Sequence, residues 1–290
     1  MASDQGPVVQ SALLRGELVR LRRESGLTQE QVAADLEWSP SKLIRVEGGR
    51  SSITKVDLDA LLTRYGVTSE STRERLQVLN RNARIGAWWD KYREDVAPTY
   101  FNFVGFEAGA AFIREYESSF LPGLLQTPDY TEAVTVNSVD AVRVGTMVGL
   151  RLQRQRELTQ RDPQPRQYYV VDEAVVRRHV GISKSPDIMP TQLRSIADKA
   201  EQDELVTFRV IPFTAGAHRG LYGPFTLLEF EGGLPDVLYI DTGYGEFASL
   251  VMGDDPRVSE YRDSFELLLE DALSADKSVE LIRNVAEEMS

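Results

Sequence analysis

Residues 28–50 carry closely spaced helix start and stop signals, which leave room only for short helices. The run Thr28-Gln29-Glu30-Gln31 has the composition of a capping box, in which the threonine hydroxyl accepts the amide of Gln31 and the glutamine side chain reaches back. Ser39 and Pro40 suit the N-cap and first position of a second short helix. Gly48 and Gly49 end it, because glycine tolerates left-handed backbone. The segment therefore predicts two short helices joined by a tight turn.

Apolar residues at helical spacing predict a further helix on each side of this pair. One helix runs from Ser11 to Glu24, and another from Thr54 to Tyr65. With a helix that begins near Thr68, the N-terminal domain is all-α and has about five helices. Two short helices joined by a turn and braced by flanking helices form the arrangement that places a recognition helix in the major groove of DNA.

The segment LTQEQVAADLEWSPSKLIRVEGGR, residues 27–50, closely resembles the helix-turn-helix of the XRE (lambda-repressor-like) family. The resemblance implies that the start of the third helix reads base edges, at positions that here are Pro40, Ser41, Ile44 and Arg45. Many relatives carry glutamine where this chain has Pro40, so one common base contact is missing. Arg45 is the main candidate, since a guanidinium can bind O6 and N7 of a guanine together.

Four further residues are candidates for contact with DNA phosphates. Gln29, at a helix N-terminus, resembles the phosphate contact of the family, and Lys42, Arg50 and Lys55 add positive charge nearby. The alternative is a helical domain that binds protein, in which these side chains are only solvated.

Charge is distributed unevenly along the chain. Its 290 residues carry a net charge of −12, but residues 1–95 hold 15 Lys and Arg against 14 Asp and Glu, whereas residues 96–290 hold 18 against 31. The excess of acid therefore belongs to the C-terminal part and does not argue against DNA binding by the N-terminal part. There is no cysteine, which excludes disulfides and thiolate sites, and neither a signal peptide nor a membrane-spanning run is recognisable. We expect a cytoplasmic, nucleoid-associated protein with no contact to a membrane.

The organisation predicted is a helix-turn-helix domain at 1–67, a helical connector at 68–95 and an acidic α+β domain at 96–290. The connector is predicted to stay helical to about Asp95. In the acidic domain, residues 105–117 are predicted to be helical. The pattern of β-branched and aromatic residues predicts a small sheet with flanking helices, whose strands are 167–171, 206–211, 225–230 and 237–240 and whose helices are 140–160, 172–179, 188–202, 258–273 and 277–288.

Several segments of the second half resemble the C-terminal domain that follows XRE modules in actinomycete regulators of the Scr-type, antitoxin-like group. They are NARIGAWWDKY, VGFEAGAAFIREYESSFLPGLLQTPDY, VDEAVVRRHVG and VIPFTAGAHRGLYGPFTLLEF. The resemblance implies a regulator whose second domain senses a ligand or a small partner protein encoded nearby.

Enzymatic activity is not expected. No G-x-S-x-G elbow, phosphate-binding loop or dinucleotide fingerprint is present. Glu115 and Glu117 lie on the predicted helix and do not form a catalytic pair, since residues two apart on a helix face different ways. His218, in a glycine-flanked loop, is either a general acid–base or a loop histidine bonded to backbone. No metal or cofactor is predicted.

Aromatic and polar residues of the most distinctive segments suggest a ligand pocket for a small-molecule effector. Its candidate lining is Tyr116, Phe120, His218 and Tyr222, and the alternative is ordinary core and loop packing. Three functions stay open: a dimeric regulator that binds a double-stranded DNA operator, an antitoxin-like protein that mainly sequesters a small partner, and an enzyme fused to a DNA anchor.

Overall fold

The computed structural model describes residues 6–136, 140–241, 248–253 and 255–290. The chain divides into two compact units, Met1–Asp90 with Gly232–Leu234 and Lys91–Glu231 with Pro235–Ser290. The first unit is helical in the described residues, and the second is α+β, which confirms the predicted fold class.

In its described residues, the N-terminal unit contains five helices: α1 (Gly6–Glu24), α2 (Gln29–Asp35), α3 (Pro40–Glu47), α4 (Lys55–Arg64) and α5 (Glu70–Asn82). All five contribute to one apolar core, whose buried members are Leu14, Leu18, Val32, Leu43, Val46, Ile53, Leu58, Leu61, Leu62, Tyr65, Leu76 and Leu79. The two leucines of α5 tie that helix to the same core. The helix ends at Asn82 and does not continue to Asp95, because Gly86 interrupts the helical pattern soon afterwards.

The second unit is built on a six-stranded mixed sheet in the order β3-β2-β1-β4-β5-β6. The strands are β1 (Phe112–Glu117), β2 (Arg166–Asp172), β3 (Val206–Ile211), β4 (Phe225–Glu229), β5 (Val237–Ile240) and β6 (Ser249–Met252). Strands β1, β2 and β3 are parallel to one another. Strand β4 is antiparallel to β1, β5 to β4, and β6 to β5. Parallel strands need crossovers, which the intervening helices provide.

The helices of this unit are α6 (Pro98–Glu107), α7 (Pro128–Thr135), α8 (Ala141–Gln160), α9 (Glu173–Arg177), α10 (Ile188–Gln202), α11 (Pro256–Asp271) and α12 (Ala275–Glu288). On one face of the sheet, Tyr116 and Val170 pack with Phe265 and Leu268 of α11. The other face meets α6, whose Phe103 ring stacks on Tyr239 of β5 at 4.2 Å between centroids.

The prediction of a helix over residues 105–117 is wrong. Helix α6 ends at Glu107, and Phe112–Glu117 forms the central strand β1. Gly109 follows the helix, and the alternation of Phe112, Arg114 and Tyr116 with Ile113, Glu115 and Glu117 has the two-residue period of a strand. Strand β6 was not predicted, whereas the other four strands lie within one residue of their predicted bounds.

Candidate nucleic-acid interface

Helix α2 begins with the capping box that the sequence predicts. The Thr28 hydroxyl accepts the backbone N–H of Gln31 at 3.2 Å, and the Thr28 N–H donates to the Gln31 side-chain oxygen at 2.9 Å. Two backbone donors that have no partner inside the helix are thereby satisfied. The start of α2 is fixed by local chemistry alone.

The turn between α2 and α3 is tight and strained at one residue. The Trp38 N–H donates to the Ala33 carbonyl at 2.8 Å, which closes the turn. Glu37 has a φ of +54°, in the left-handed region that disfavours residues with a side chain. Pro40 is the first residue of α3, as predicted, although the Ser39 side chain makes no capping bond to the helix.

A buried carboxylate holds the three helices of the motif together. Glu47, at the end of α3, accepts the Arg22 guanidinium of α1 through Nε at 2.8 Å and Nη2 at 3.0 Å. It also accepts the side-chain amide of Gln29 on α2 at 2.7 Å. The Glu47 side chain is only 4% exposed, so this bidentate pair is shielded from water and fixes the direction of α3.

The face of α3 that points away from this core is open to solvent. Pro40, Ser41, Ile44 and Arg45 are all exposed, and Ile44, an apolar residue, exposes 46% of its surface. The Arg45 guanidinium donates to the Ser41 hydroxyl at 3.1 Å, one turn earlier on the same face. The four predicted base-contacting residues thus share an exposed surface of one short helix. The Arg45 side chain reaches back along this surface to Ser41.

The four predicted phosphate-contacting residues differ in whether their side chains already bind other residues of the protein. Lys42 lies 3.0 Å from Asp57 and 3.8 Å above the Trp38 ring, so its charge is partly compensated. Gln29 uses one amide hydrogen for Glu47 and keeps a second. Arg50 and Lys55 are exposed and form no ion pair within the described part of the chain.

The predicted ligand-pocket residues divide into a buried pair and two exposed rings. Tyr116 is fully buried and packs edge to face with His218 at 6.1 Å between centroids. His218 accepts the Gly220 N–H through Nδ1, and its Nε2 lies 3.2 Å from the Asp172 carboxylate. Phe120 and Tyr222 are 45% and 85% exposed. The structure therefore brings two of the four residues together, and ligand binding by them stays a prediction.

A group of interior carboxylates escaped the sequence reasoning because β1 was taken for a helix. On a strand, Glu115 and Glu117 point to the same face. Burial, followed by repulsion from Glu107, raises the pKa of Glu115 to about 7, and burial also raises the pKa of Glu117. Glu107 itself is fully buried in a bidentate pair with Arg154 of α8, whose guanidinium also donates to the Tyr100 hydroxyl. The alternating pattern of FIREYE was the available signal.

These features define a helix-turn-helix protein with a second, α+β unit. Residues 13–76 match the model of a helix-turn-helix domain. Residues 100–284 match the model of a domain of unknown function, DUF5753, and the chain belongs to this family. No characterised protein and no solved structure matches the chain.

The helix-turn-helix match indicates a DNA-binding regulator. Within the residues described, no helix is long and apolar enough to cross a membrane. The same residues contain no group of three or more histidine or acidic side chains placed to hold a metal ion.

Proposed function

We propose that this protein is a sequence-specific transcriptional regulator of the XRE type, which reads an operator in the major groove with the exposed face of α3. The observation that carries the proposal is the exposed surface of Ser41, Ile44 and Arg45 on a helix whose other side is anchored by Glu47. A rigid short helix with an exposed arginine and an apolar contact suits readout of guanine and of a thymine methyl group.

In this proposal, residues 1–67 bind DNA, residues 68–95 connect, and residues 96–290 modulate occupancy in response to a ligand or partner. The protein acts as a homodimer on an inverted repeat, because one copy with Pro40 and Ser41 at two reading positions discriminates weakly. Binding of an effector to the second unit changes DNA affinity through a coupling free energy between the two sites.

A genome-wide footprint of the tagged full-length protein tests the proposal. The expected result is a small set of discrete sites that share a two-fold symmetric motif, including DNA upstream of its own coding region. Uniform occupancy that does not depend on sequence would contradict sequence-specific binding.

A second function, sequestration of a small partner by a Scr-type, antitoxin-like protein, is supported by apolar side chains exposed on the second unit. Phe213, Leu221 and Tyr222 expose 58%, 64% and 85% of their surface within one short segment. Exposed apolar residues close together favour a protein partner. Co-purification of the wild type and a Leu221→Ser/Tyr222→Ser variant tests this: a partner retained by both would contradict docking at this segment.

A further inference from the structure

The N-terminal unit contains a cavity of about 190 Å³, and the charged residues that line it are all arginines. We call it the arginine pocket: Ser11 and Arg15 of α1, residues 49–52 of the loop after α3, and Asn80 and Arg84 at the end of α5. Its floor is apolar and belongs to the helical core, with Leu14, Leu18, Val46 and Ile53. None of the described residues that line it is acidic.

Arg15 is the central group of this pocket, because its guanidinium lies directly over Gly49. A methyl group at Gly49 would come within 1.4 Å of the Arg15 Nη1 atom, and Gly49 also has a φ of +73°. Arg15 is partly buried and forms no hydrogen bond or ion pair with any residue in the described ranges. Burial lowers the pKa of its guanidinium. A partly desolvated cation with no partner is unfavourable unless an anion joins it.

Two further side chains indicate where that anion lies. Asn80 is only 4% exposed, lines the cavity, and its side-chain amide bonds to no other residue that the structure describes. The amide is not sealed off within the fold but borders the cavity, so a ligand in the cavity can accept its N–H groups. At the rim, Arg50 is exposed and unpaired within the described part of the chain, while Arg84 donates to the Ile53 carbonyl and keeps further N–H groups.

We propose that the arginine pocket binds one phosphate group, held by the guanidinium groups of Arg15, Arg50 and Arg84 and by the amide of Asn80. Guanidinium groups form paired, charge-assisted hydrogen bonds to phosphate oxygens. The hydroxyls of Ser11, Ser51 and Ser52 border the same space and add donors. Since one water occupies about 30 Å³ of liquid, the cavity has room for a phosphate group and part of what it is attached to.

The phosphate has two sources that share this chemistry: the backbone of a bound DNA duplex, or a free phosphorylated compound. The pocket includes Arg50, three residues after the end of α3, so a DNA phosphate there would add to the contacts of the proposed function. Only that source depends on DNA binding, and a free phosphate would bind whether or not the protein recognises DNA.

Titration of the full-length protein with inorganic phosphate tests the pocket, with calorimetry and thermal unfolding as readouts. We expect saturable binding and a higher unfolding temperature for the wild type.

Arg50→Gln should weaken phosphate binding about tenfold, because a charge-assisted contact is lost. Asn80→Asp places a carboxylate in the pocket and should abolish the phosphate-dependent rise in unfolding temperature. Arg81→Gln, one turn before Arg84 and outside the lining, is the matched control and should bind as the wild type does.

DNA binding by the same variants separates the two sources. If a DNA phosphate fills the pocket, Arg50→Gln lowers affinity equally for all sequences, reduces the salt slope by about 1, and free phosphate competes with DNA. If a free compound fills it, DNA affinity is the same in Arg50→Gln and Arg81→Gln while phosphate binding differs. The proposal is overturned if Arg50→Gln and Asn80→Asp match Arg81→Gln in both measurements. A wild type that binds phosphate but no DNA would overturn the proposed function alone.

Discussion

At the scale of one residue, Glu115 shows how the second unit accommodates a buried carboxyl group. Its side chain is 7% exposed in the sheet centre, between Tyr169 of β2 and Thr226 of β4. Burial and the nearby Glu107 carboxylate disfavour its ionised form, and the pKa rises to about 7. The folded protein therefore holds a proton that the unfolded chain releases near its ordinary pKa of 4.5.

Stability of the second unit should fall as pH rises through this pKa. Below about pH 4.5 the Glu115 carboxyl is protonated in both the folded and the unfolded state. As pH rises towards 8, this carboxyl ionises less readily in the folded protein than in the unfolded chain. The unfolding free energy therefore decreases by on the order of 2 kcal/mol. Urea unfolding of the wild type and Glu115→Gln between pH 5 and pH 8 measures this. Glu115→Gln should make the decrease smaller, and Glu117, whose pKa burial also raises, accounts for what remains. Glu280→Gln, an exposed substitution on α12, is the control, and an equal loss of pH dependence in both variants would refute the assignment to Glu115.

At the scale of elements, the α2–α3 turn and the Arg22–Glu47 pair together set the direction of α3. The turn is closed by the Trp38 and Glu37 amides, and it forces Glu37 into the left-handed region. Glycine reaches this conformation without the steric cost that a side chain adds. The strain is therefore confined to the residue that links the two helices of the motif.

Glu37→Gly should stabilise the N-terminal unit. Relief of the left-handed strain outweighs the greater freedom of glycine in the unfolded chain, for a net gain of about 0.5 kcal/mol. Glu37→Ala removes the same carboxylate but keeps the strain, and it serves as the matched control. Chemical unfolding monitored by tryptophan fluorescence gives the comparison, since all three tryptophans, Trp38, Trp88 and Trp89, lie in the N-terminal unit. If both variants shift stability equally, the carboxylate and not the backbone is responsible.

Elements with a clear local signal were predictable from the sequence, and contacts that depend on packing were not. The capping box at Thr28 and the proline start at Pro40 depend on neighbours in sequence, and both are as predicted. Four strands were predicted from their β-branched and aromatic residues, whereas β1 was missed because FIREYE carries three charged residues, which are uncommon in a central strand. Likewise, the candidate base-reading positions follow from the motif, whereas the anchor Arg22–Glu47 and the arginine pocket require the packed helices.

At the scale of the whole molecule, the two halves differ most in charge. Residues 1–95 carry 15 basic and 14 acidic side chains, and residues 96–290 carry 18 and 31. A body with such an acidic excess repels the DNA phosphates over distances of about a Debye length, roughly 10 Å at 0.1 M salt. We therefore predict that the second half weakens DNA binding that does not depend on sequence.

Removal of residues 96–290 should tighten binding to random DNA at low salt, and the difference should shrink as salt screens the charges. Loss of dimer avidity would oppose this gain, so the truncated form is compared both alone and as a forced dimer. Fluorescence anisotropy on a random duplex at several salt concentrations supplies the measurement. Weaker or unchanged binding by the forced dimer would count against electrostatic repulsion by the acidic half.

The most direct test of the account is the affinity of Arg45→Ala for operator DNA and for random DNA. The operator is taken from the footprint, and Arg23→Ala, an exposed arginine of α1, is the control. We predict that Arg45→Ala loses about 1–3 kcal/mol on the operator, relaxes the preference at one base pair and changes little on random DNA. Equal losses on both duplexes, or no loss on either, would contradict sequence readout by α3.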